Sequence, residues 1–188
     1  MLKTDNIIIL GGGSAGWMTA ATMCRIFPEK NITVIESPNT PIIGVGESTL
    51  GQINRWLSLL GIKDEDFMPY TDASYKLSIR FEDFYQKNDG GFHYPFGNVV
   101  ENEEIGKKQL WFLKKYLQPE TPITDYANSI YQNMALVNHN VLFKNENKEL
   151  EYFDFKYHVA YHFDATKFGL WLKNQYCKPK GVKHILED

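Results

Sequence analysis

The sequence has little of what marks secreted, membrane or nucleic-acid-binding proteins. Its 188 residues include only two cysteines, Cys24 and Cys177, which lie far apart in apolar helical patterns and are expected to be reduced core residues. No apolar run has the length of a signal peptide or a membrane span. The 20 Lys and Arg residues are interspersed with 23 Asp and Glu residues, so the net charge of −3 leaves no basic surface. We therefore expect a cytoplasmic protein with small-molecule partners, and neither nucleic acid nor membrane among them.

The N-terminal part of the chain has the pattern of a β-α-β unit. Hydrophobic residues make up 43% of the sequence, which is enough for a folded domain with its own core. Short β-branched runs at residues 6–10 and 31–36 predict two strands, and apolar residues at helical spacing predict a helix between them. Because one helix connects them, the strands are expected to be parallel. The fold class is therefore predicted to be α/β.

Further elements follow from periodicity and from capping residues. We expect a helix from about Leu50 to Leu60, ended by Gly61, and a period-two pattern from Tyr75 to Phe84. Asp164 is placed to cap another helix. The other predicted elements are helices around residues 107–117 and 124–136, a short helix starting at Asp64, and strands at Tyr157–Phe163 and Val182–Leu186.

The junction between the first strand and its helix contains a G-x-G-x-x-G pattern. Gly11 allows a tight turn, Gly13 lets a pyrophosphate approach the bare backbone, and Gly16 lets helix and strand pack closely. The helix N-terminus then presents unpaired N–H groups to phosphate oxygens. Glu36, at the end of the second strand, is placed to accept a hydrogen bond from a ribose hydroxyl. This context predicts dinucleotide binding, although it does not distinguish NAD from FAD.

A second glycine-containing loop, PIIGVGESTL at residues 41–50, follows soon after Glu36. It either offers further backbone donors to a long cofactor or is an ordinary loop with an N-cap before the next helix. The predicted cofactor-binding residues are Gly11, Gly13, Ser14, Ala15, Gly16, Glu36, Ser37, Val45, Gly46, Glu47, Ser48 and Thr49.

Two histidines, His158 and His162, have an i, i+4 spacing that would suit a metal ion if both lay on one helix. The segment around them instead predicts a strand, and no acidic residue completes an H-E-x-x-H pattern. No metal site is therefore predicted.

Several motifs occur together in an order typical of one family. They are GGGSAGWM (11–18), GVGEST (44–49), ASYKLSIRF (73–81), YHFDATKFGLWL (161–172) and GVKHILED (181–188). This chain resembles the flavin-dependent halogenases over essentially its whole length, in particular the tryptophan halogenase group. The resemblance implies the FAD/NAD(P)-binding, Rossmann-like fold of flavin monooxygenases, incomplete at its C-terminus. It also implies that reduced FAD (FADH2), oxygen and a halide such as chloride or bromide produce hypohalous acid, with a separate flavin reductase as partner.

The resemblance divides the chain, residues 1–188, into parts of one FAD-binding halogenase domain. These parts are the nucleotide-binding unit at 6–36, an FAD loop at 39–50 and a substrate-side insert at about 70–160. Within the insert, alternation alone puts Lys76 on the polar face of a strand, where it could be a solvated surface lysine. The segment ASYK resembles the one that holds the family's catalytic lysine. Lys76 is thus implied to guide hypohalous acid, through a hydrogen bond or as an N-halo amine.

The segment GGFHYPFG, residues 90–97, resembles the family's aromatic substrate platform. His93, Tyr94 and Phe96 are thereby implied to bind an indole- or phenol-like substrate by ring stacking, the alternative being an aromatic turn packed on the core. The family has a histidine at the position of Tyr94, whereas here the histidine comes one residue earlier. This departure leaves open whether tryptophan is the substrate.

Some parts of the family pattern do not occur in the 188 residues. They are the second cofactor motif, the W-x-W-x-I-P signature, the glutamate that accepts the arene proton and the halide site. We therefore expect the N-terminal portion of a halogenase, arising as a truncated reading frame, a split enzyme or a fragment. Its further partners would be a C-terminal halogenase portion or a second copy. The alternatives are a flavin monooxygenase or oxidase relative and a non-catalytic FAD-binding fragment.

Overall fold

A computed structural model of the chain describes residues 4–40, 46–88, 90–97, 106–142 and 155–188. The strands are β1 (Asn6–Leu10), β2 (Asn31–Glu36), β3 (Gly46–Ser48), β4 (Ser74–Lys76), β5 (Ser78–Glu82), β6 (Gly91–Pro95), β7 (Ala160–Asp164) and β8 (Lys183–Leu186). The α-helices are α1 (Ser14–Ile26), α2 (Ile53–Leu60), α3 (Asp64–Phe67), α4 (Lys107–Leu117), α5 (Thr124–Ile130), α6 (Asn133–Asn138), α7 (Phe155–His158) and α8 (Ala165–Trp171). A π-helical segment, Leu172–Cys177, continues α8. Among the described residues, every helix is too short or too polar to cross a membrane.

The chain forms two units. The first comprises Met1–Thr49, Arg55–Ser74 and Tyr161–Asp188, and the second comprises Leu50–Asn54 and Tyr75–Ala160.

The first unit contains a parallel sheet in the order β1-β2-β8, with β2 in the middle. Strand β1 pairs with β2 with Ile8 opposite Thr33, and β2 pairs with β8 with Val34 opposite His184. Helix α1 packs its apolar residues against this sheet, so that Trp17 is buried. The predicted parallel β-α-β arrangement of residues 6–36 is confirmed by this pairing.

An aromatic core holds the rest of the first unit together. Phe67 and Phe168 are fully buried, and their ring centroids lie 5.5 Å apart in an edge-to-face arrangement. Phe163 stacks on Phe168 at 4.4 Å, and Tyr161 meets Phe67 at 5.4 Å. The predicted cap is present, because the Asp164 carboxylate accepts a hydrogen bond from the Lys167 N–H at 2.8 Å. These contacts join β7 and α8 to the α2–α3 region.

The second unit contains an antiparallel hairpin of β5 and β6, in which Phe81 lies opposite Phe92. The two rings stack with centroids 5.2 Å apart. Helices α4 and α5 pack through Trp111 and Tyr126, whose ring centroids are 5.0 Å apart. The Trp111 indole also donates a hydrogen bond to Asp125 at 3.1 Å. This packing buries Trp111 although it lies in a lysine-rich helix.

Several predicted boundaries differ from the observed ones. Helix α2 begins at Ile53 rather than near Leu50, after backbone bonds from Ile53 and Asn54 to Leu50 and Gly51. The single helix predicted at 124–136 is two helices, because Tyr131 is extended between them. The strand predicted from Tyr157 was wrong at its start, because α7 ends at His158 and the ladder with β3 reaches only His162–Asp164.

The period-two segment from Tyr75 is interrupted at Leu77. The Leu77 carbonyl accepts hydrogen bonds from the Phe96 N–H at 2.9 Å and from the Asn133 side chain at 3.2 Å. Strands β4 and β5 are therefore separate, and Lys76 is only 8% exposed rather than on a solvated polar face. Alternation could not anticipate this burial, since the Phe96 ring that Lys76 contacts lies twenty residues further along the chain.

Candidate functional site

The first unit contains an open cavity of about 950 Å³ at the carboxyl ends of β1 and β2. Its wall is formed by the glycine turn, the first residues of α1, the end of β2 with the residues that follow it, Glu47 of β3, and Glu187 and Asp188 after β8. The predicted cofactor-binding residues in this wall are Gly11, Gly13, Ser14, Ala15, Glu36, Ser37 and Glu47. The cavity therefore joins residues from four separate stretches of the sequence.

The glycine turn has the geometry that its pattern predicts. Gly11 has φ +106°, and its N–H donates to the Ile35 carbonyl at 2.8 Å. A Cβ on Gly16 would lie 1.9 Å from the Gly11 carbonyl oxygen, so only glycine fits where α1 crosses the turn. A Cβ on Gly13 would meet nothing within 4 Å. The backbone at Gly13, the N-cap of α1, is thus open to a close-lying ligand.

Glu36 is held from behind by two side chains. Its Oε1 accepts hydrogen bonds from His184 Nε2 at 2.6 Å and from Lys173 Nζ at 3.1 Å. All three side chains are largely buried, with exposed fractions of 12–15%. The other oxygen, Oε2, lies over Gly12, where a Cβ would approach it to 1.3 Å. The triple glycine therefore includes one residue, Gly12, whose missing side chain makes room for Glu36.

Other predicted cofactor residues have partners within the protein. The Ser14 hydroxyl donates to the Ala165 carbonyl at 3.1 Å, and Ser37 Oγ accepts the Asn39 N–H at 3.1 Å. Thr49 exchanges hydrogen bonds with the Tyr161 backbone. Gly16, Gly46, Ser48 and Thr49 are not among the residues that line the cavity. Val45 lies outside the described residues.

Lys76 lies in the second unit against an aromatic ring. Its Nζ is 5.2 Å from the centroid of the Phe96 ring, and Phe96 is itself buried. Burial lowers the pKa of Lys76 below the ordinary lysine value. A buried amine with a lowered pKa is more nucleophilic near neutral pH than a surface lysine. This environment favours a reactive lysine.

The three predicted substrate residues have different environments. The His93 Nδ1 is 2.8 Å from the Ser78 hydroxyl, and burial followed by the charge of Arg80 lowers the pKa of His93. Tyr94 is 61% exposed, whereas Phe96 is buried beneath Lys76. His93 and Tyr94 are neighbours in β6, so their side chains point to opposite faces of the hairpin.

Sequence reasoning missed several residues of these sites. Gly12 could have been found from the run of three glycines, but Lys173 and His184 reach Glu36 only through the pairing of β8 with β2. Asn133 was missed as well, and its role depends on contacts with two distant carbonyl groups. Among the described residues, no group of three or more His, Cys, Asp or Glu side chains could hold a metal ion.

Comparisons with known proteins agree with this arrangement. The chain is 41% identical to the protein of the "VirX1 apo structure", with a TM-score of 0.87 over 99% of this chain and 36% of that one. Tar14, a tryptophan C-6 flavin-dependent halogenase (chlorinase) from taromycin biosynthesis, matches with a TM-score of 0.82 and 28% identity over 98% of this chain and 36% of its own. The mixed α/β fold is thus one found in flavin-dependent halogenases.

The sequence comparisons identify the family. The model of the tryptophan halogenase family matches residues 6–188, so the chain belongs to that family. Tryptophan 6-halogenase ThaL of Streptomyces albogriseolus is 31% identical over 99% of this chain. That match covers 36% of ThaL, so the chain spans little more than a third of the length of such relatives.

Proposed function

We propose that this chain supplies the FAD-binding turn and the reactive lysine of a flavin-dependent halogenase. The enzyme would use FADH2, oxygen and chloride or bromide to halogenate an indole- or phenol-like substrate. The observation that carries the proposal is the cavity in which the open backbone at Gly13 meets the carboxylate of Glu36. Family membership supports it, because relatives across the family are named as halogenases.

The residues around the cavity fit the adenosine diphosphate half of FAD. Gly13 leaves space for a phosphate beside the N-terminus of the 13-residue helix α1, where unpaired N–H groups favour an anion. The backbone at Ser14 and Ala15 would donate to the same phosphates. Glu36 would accept a hydrogen bond from the ribose, as an acidic residue at this position does in dinucleotide-binding folds. The arrangement supports a Rossmann-like fold of the flavin monooxygenase type.

Further cofactor contacts would come from two loops. Ser37 and Glu47 lie in the cavity wall. Glu47, together with residues 45, 46, 48 and 49, belongs to the proposed FAD loop at 39–50, whereas Ser37 directly follows β2. When FADH2 is bound, its reaction with oxygen would provide the oxidant that converts halide to hypohalous acid.

Lys76 would direct this oxidant to the substrate. Because its pKa is lowered by burial, a larger fraction of the amine is neutral at a given pH than in a surface lysine. The neutral amine can form an N-halo species, and the protonated form can hold hypohalous acid by a hydrogen bond.

His93, Tyr94 and Phe96 would contact the aromatic substrate. We further propose that the protein lies in the cytoplasm. Its partners there would be a separate flavin reductase and a C-terminal halogenase portion.

Flavin binding tests the first half of the proposal. Gly13→Val should obstruct the phosphate approach and weaken FAD binding at least tenfold in a fluorescence titration, because a side chain would fill the open space. Thr19→Val, at an exposed position of the same helix α1, controls for general damage, and circular dichroism monitors the fold. Equal FAD affinity of the wild type and Gly13→Val would contradict the assignment.

Halogenation tests the second half. In a protein that includes the parts of the relatives beyond this chain, Lys76→Ala should abolish halogenation of indole and phenol while flavin oxidation by oxygen continues. The 188-residue chain alone should not turn over, because it lacks the family's proton-accepting glutamate. Mass spectrometry after incubation with bromide, oxygen and a flavin reductase measures both. Halogenated product from Lys76→Ala would contradict the role proposed for Lys76. Oxygenated product from the wild type would instead favour a monooxygenase.

A further inference from the structure

The Glu36 carboxylate uses its two oxygens differently. Within the described part of the chain, both of its side-chain hydrogen bonds go to Oε1, one from Lys173 and one from His184. Oε2 lies over Gly12, which lines the cavity together with Glu36. One oxygen is therefore tied to the protein interior, while the other faces the bare backbone of the cavity wall.

The two donors come from elements that follow Glu36 by more than a hundred residues. Lys173 belongs to the π-helical segment after α8, and His184 lies in β8 opposite Val34 of β2. Neither residue lines the cavity itself. They act on Glu36 from the side away from a ligand, so any effect on ligand binding would pass through its carboxylate.

Trp17 fixes both donors to the helix that begins at the cavity. Its ring centroid lies 5.4 Å from Lys173 Nζ and 5.4 Å from the His184 ring, which it meets edge to face. Trp17 is only 1% exposed, so this support is rigid and excludes water. A buried carboxylate with two hydrogen bonds from fixed donors has little rotamer freedom left to lose when a ligand arrives.

We propose that Lys173 and His184 are positioning residues that orient Glu36 to recognise the adenosine ribose of FAD. This inference rests on the proposed FAD site. Lys173 also offsets the charge of Glu36, which would otherwise repel the neighbouring diphosphate. A ribose hydroxyl donating to the oriented carboxylate would make a charge-assisted hydrogen bond without a cost for ordering the acceptor.

The test compares ADP with 2′-deoxy-ADP, measured by isothermal titration calorimetry on the whole chain. The wild type should bind ADP roughly tenfold or more tightly than the deoxy compound, as expected for one hydrogen bond to a charged group. Lys173→Met, His184→Leu and Glu36→Gln should each reduce this ratio to below about threefold. Lys173→Arg and His184→Gln, which keep a donor, should retain more of it. Lys183→Met, the loss of an exposed lysine beside His184, is the matched control.

The outcomes separate this inference from the proposal on which it rests. If the wild type binds neither ADP nor FAD, the proposed cofactor site is wrong. If it binds both and Lys173→Met keeps the full ADP preference, Lys173 and His184 merely stabilise the fold and the positioning role is overturned. Equal binding of ADP and 2′-deoxy-ADP by the wild type would also overturn it. Should Lys173→Met fail to fold, a ratio unchanged in His184→Leu would have the same meaning.

Discussion

Gly16 and Gly13 differ in what a methyl group would meet. At Gly16 it would strike the Gly11 carbonyl oxygen, a backbone atom that cannot move aside, whereas at Gly13 the space is empty. The helix propensity gained by replacing glycine with alanine is about 1 kcal/mol and cannot offset such a clash. We expect Gly16→Ala to lower the free energy of unfolding by roughly 2 kcal/mol or more, and Gly13→Ala by less than about 1 kcal/mol. Urea unfolding of the two variants measures the difference, and equal losses would refute this account of the turn.

The two cysteines should differ in reactivity. The neighbouring Cys177 side chain lowers the pKa of the half-buried Cys24 thiol to about 7, while Cys24 and burial raise the pKa of Cys177. Since the thiolate is the nucleophile, iodoacetamide should label Cys24 with a midpoint near pH 7 and leave Cys177 unlabelled in the folded chain. Peptide mass spectrometry over a pH series tests this. Cys177→Ala should move the midpoint upward, and an unchanged midpoint would show that Cys177 has no influence.

At the scale of elements, one amide joins the strand break beside Lys76 to the end of β6. The buried Asn133 side chain donates to the Leu77 carbonyl at 3.2 Å and to the Phe96 carbonyl at 2.9 Å. Removing it would leave the Phe96 carbonyl without this donor at a cost of about 1–3 kcal/mol, whereas the Leu77 carbonyl would keep its hydrogen bond from the Phe96 N–H. Asn133→Ala should therefore lower the free energy of unfolding by about 1–3 kcal/mol.

A surface asparagine in the same helix provides the control. Asn138 donates to Asn128 at 2.9 Å, but both side chains are exposed. Asn138→Ala should thus change the free energy of unfolding by no more than about 0.5 kcal/mol. Urea unfolding followed by tryptophan fluorescence compares the two variants. A similar small loss for Asn133→Ala would mean that the amide does not hold the two segments together.

At the scale of the whole molecule, apolar side chains remain exposed on the strand at one edge of a sheet. Within the described residues β1 has β2 as its only strand partner, and Ile8 and Leu10 are 62% and 80% exposed. An exposed apolar edge favours association with another chain. Ile8→Lys should therefore reduce self-association at high concentration, as measured by sedimentation velocity. Leu186→Lys, at the opposite edge of the sheet, is the comparison, and an equal effect of both would show that only net charge matters.

Local pattern predicted the parts of the fold in which local chemistry decides the structure. The β-α-β unit, the Asp164 cap and the strand after Gly181 follow from apolar spacing, capping residues and glycine conformation. The helical spacing at 124–136 gave no sign that Tyr131 is extended. The break at Leu77 could not be predicted either, because its carbonyl is bonded by Asn133 and Phe96, which are distant in sequence.

Some residues of the candidate site could likewise be predicted from the sequence, and others could not. The glycine turn and Glu36 are recognised because their spacing along β1, α1 and β2 fixes their position in space. The burial of Lys76, by contrast, contradicts the polar-face position that its alternation with apolar residues predicts. Lys173 and His184 depend on the order of strands in the sheet, and a single sequence contains no local mark of that order.

The π-helical segment after α8, Leu172–Cys177, affects how the chain would tolerate the loss of a residue. Leu172 and Cys177 are five residues apart and both fully buried, a spacing that an α-helix would place about 140° apart. The segment therefore accommodates one residue more than an α-helical turn. Loss of a single codon here would let the turn become α-helical, so the deletion would be absorbed within the turn and the following residues would keep their positions. Strand β8 would then keep its register against β2, and His184 would stay on the face of the sheet that holds Glu36.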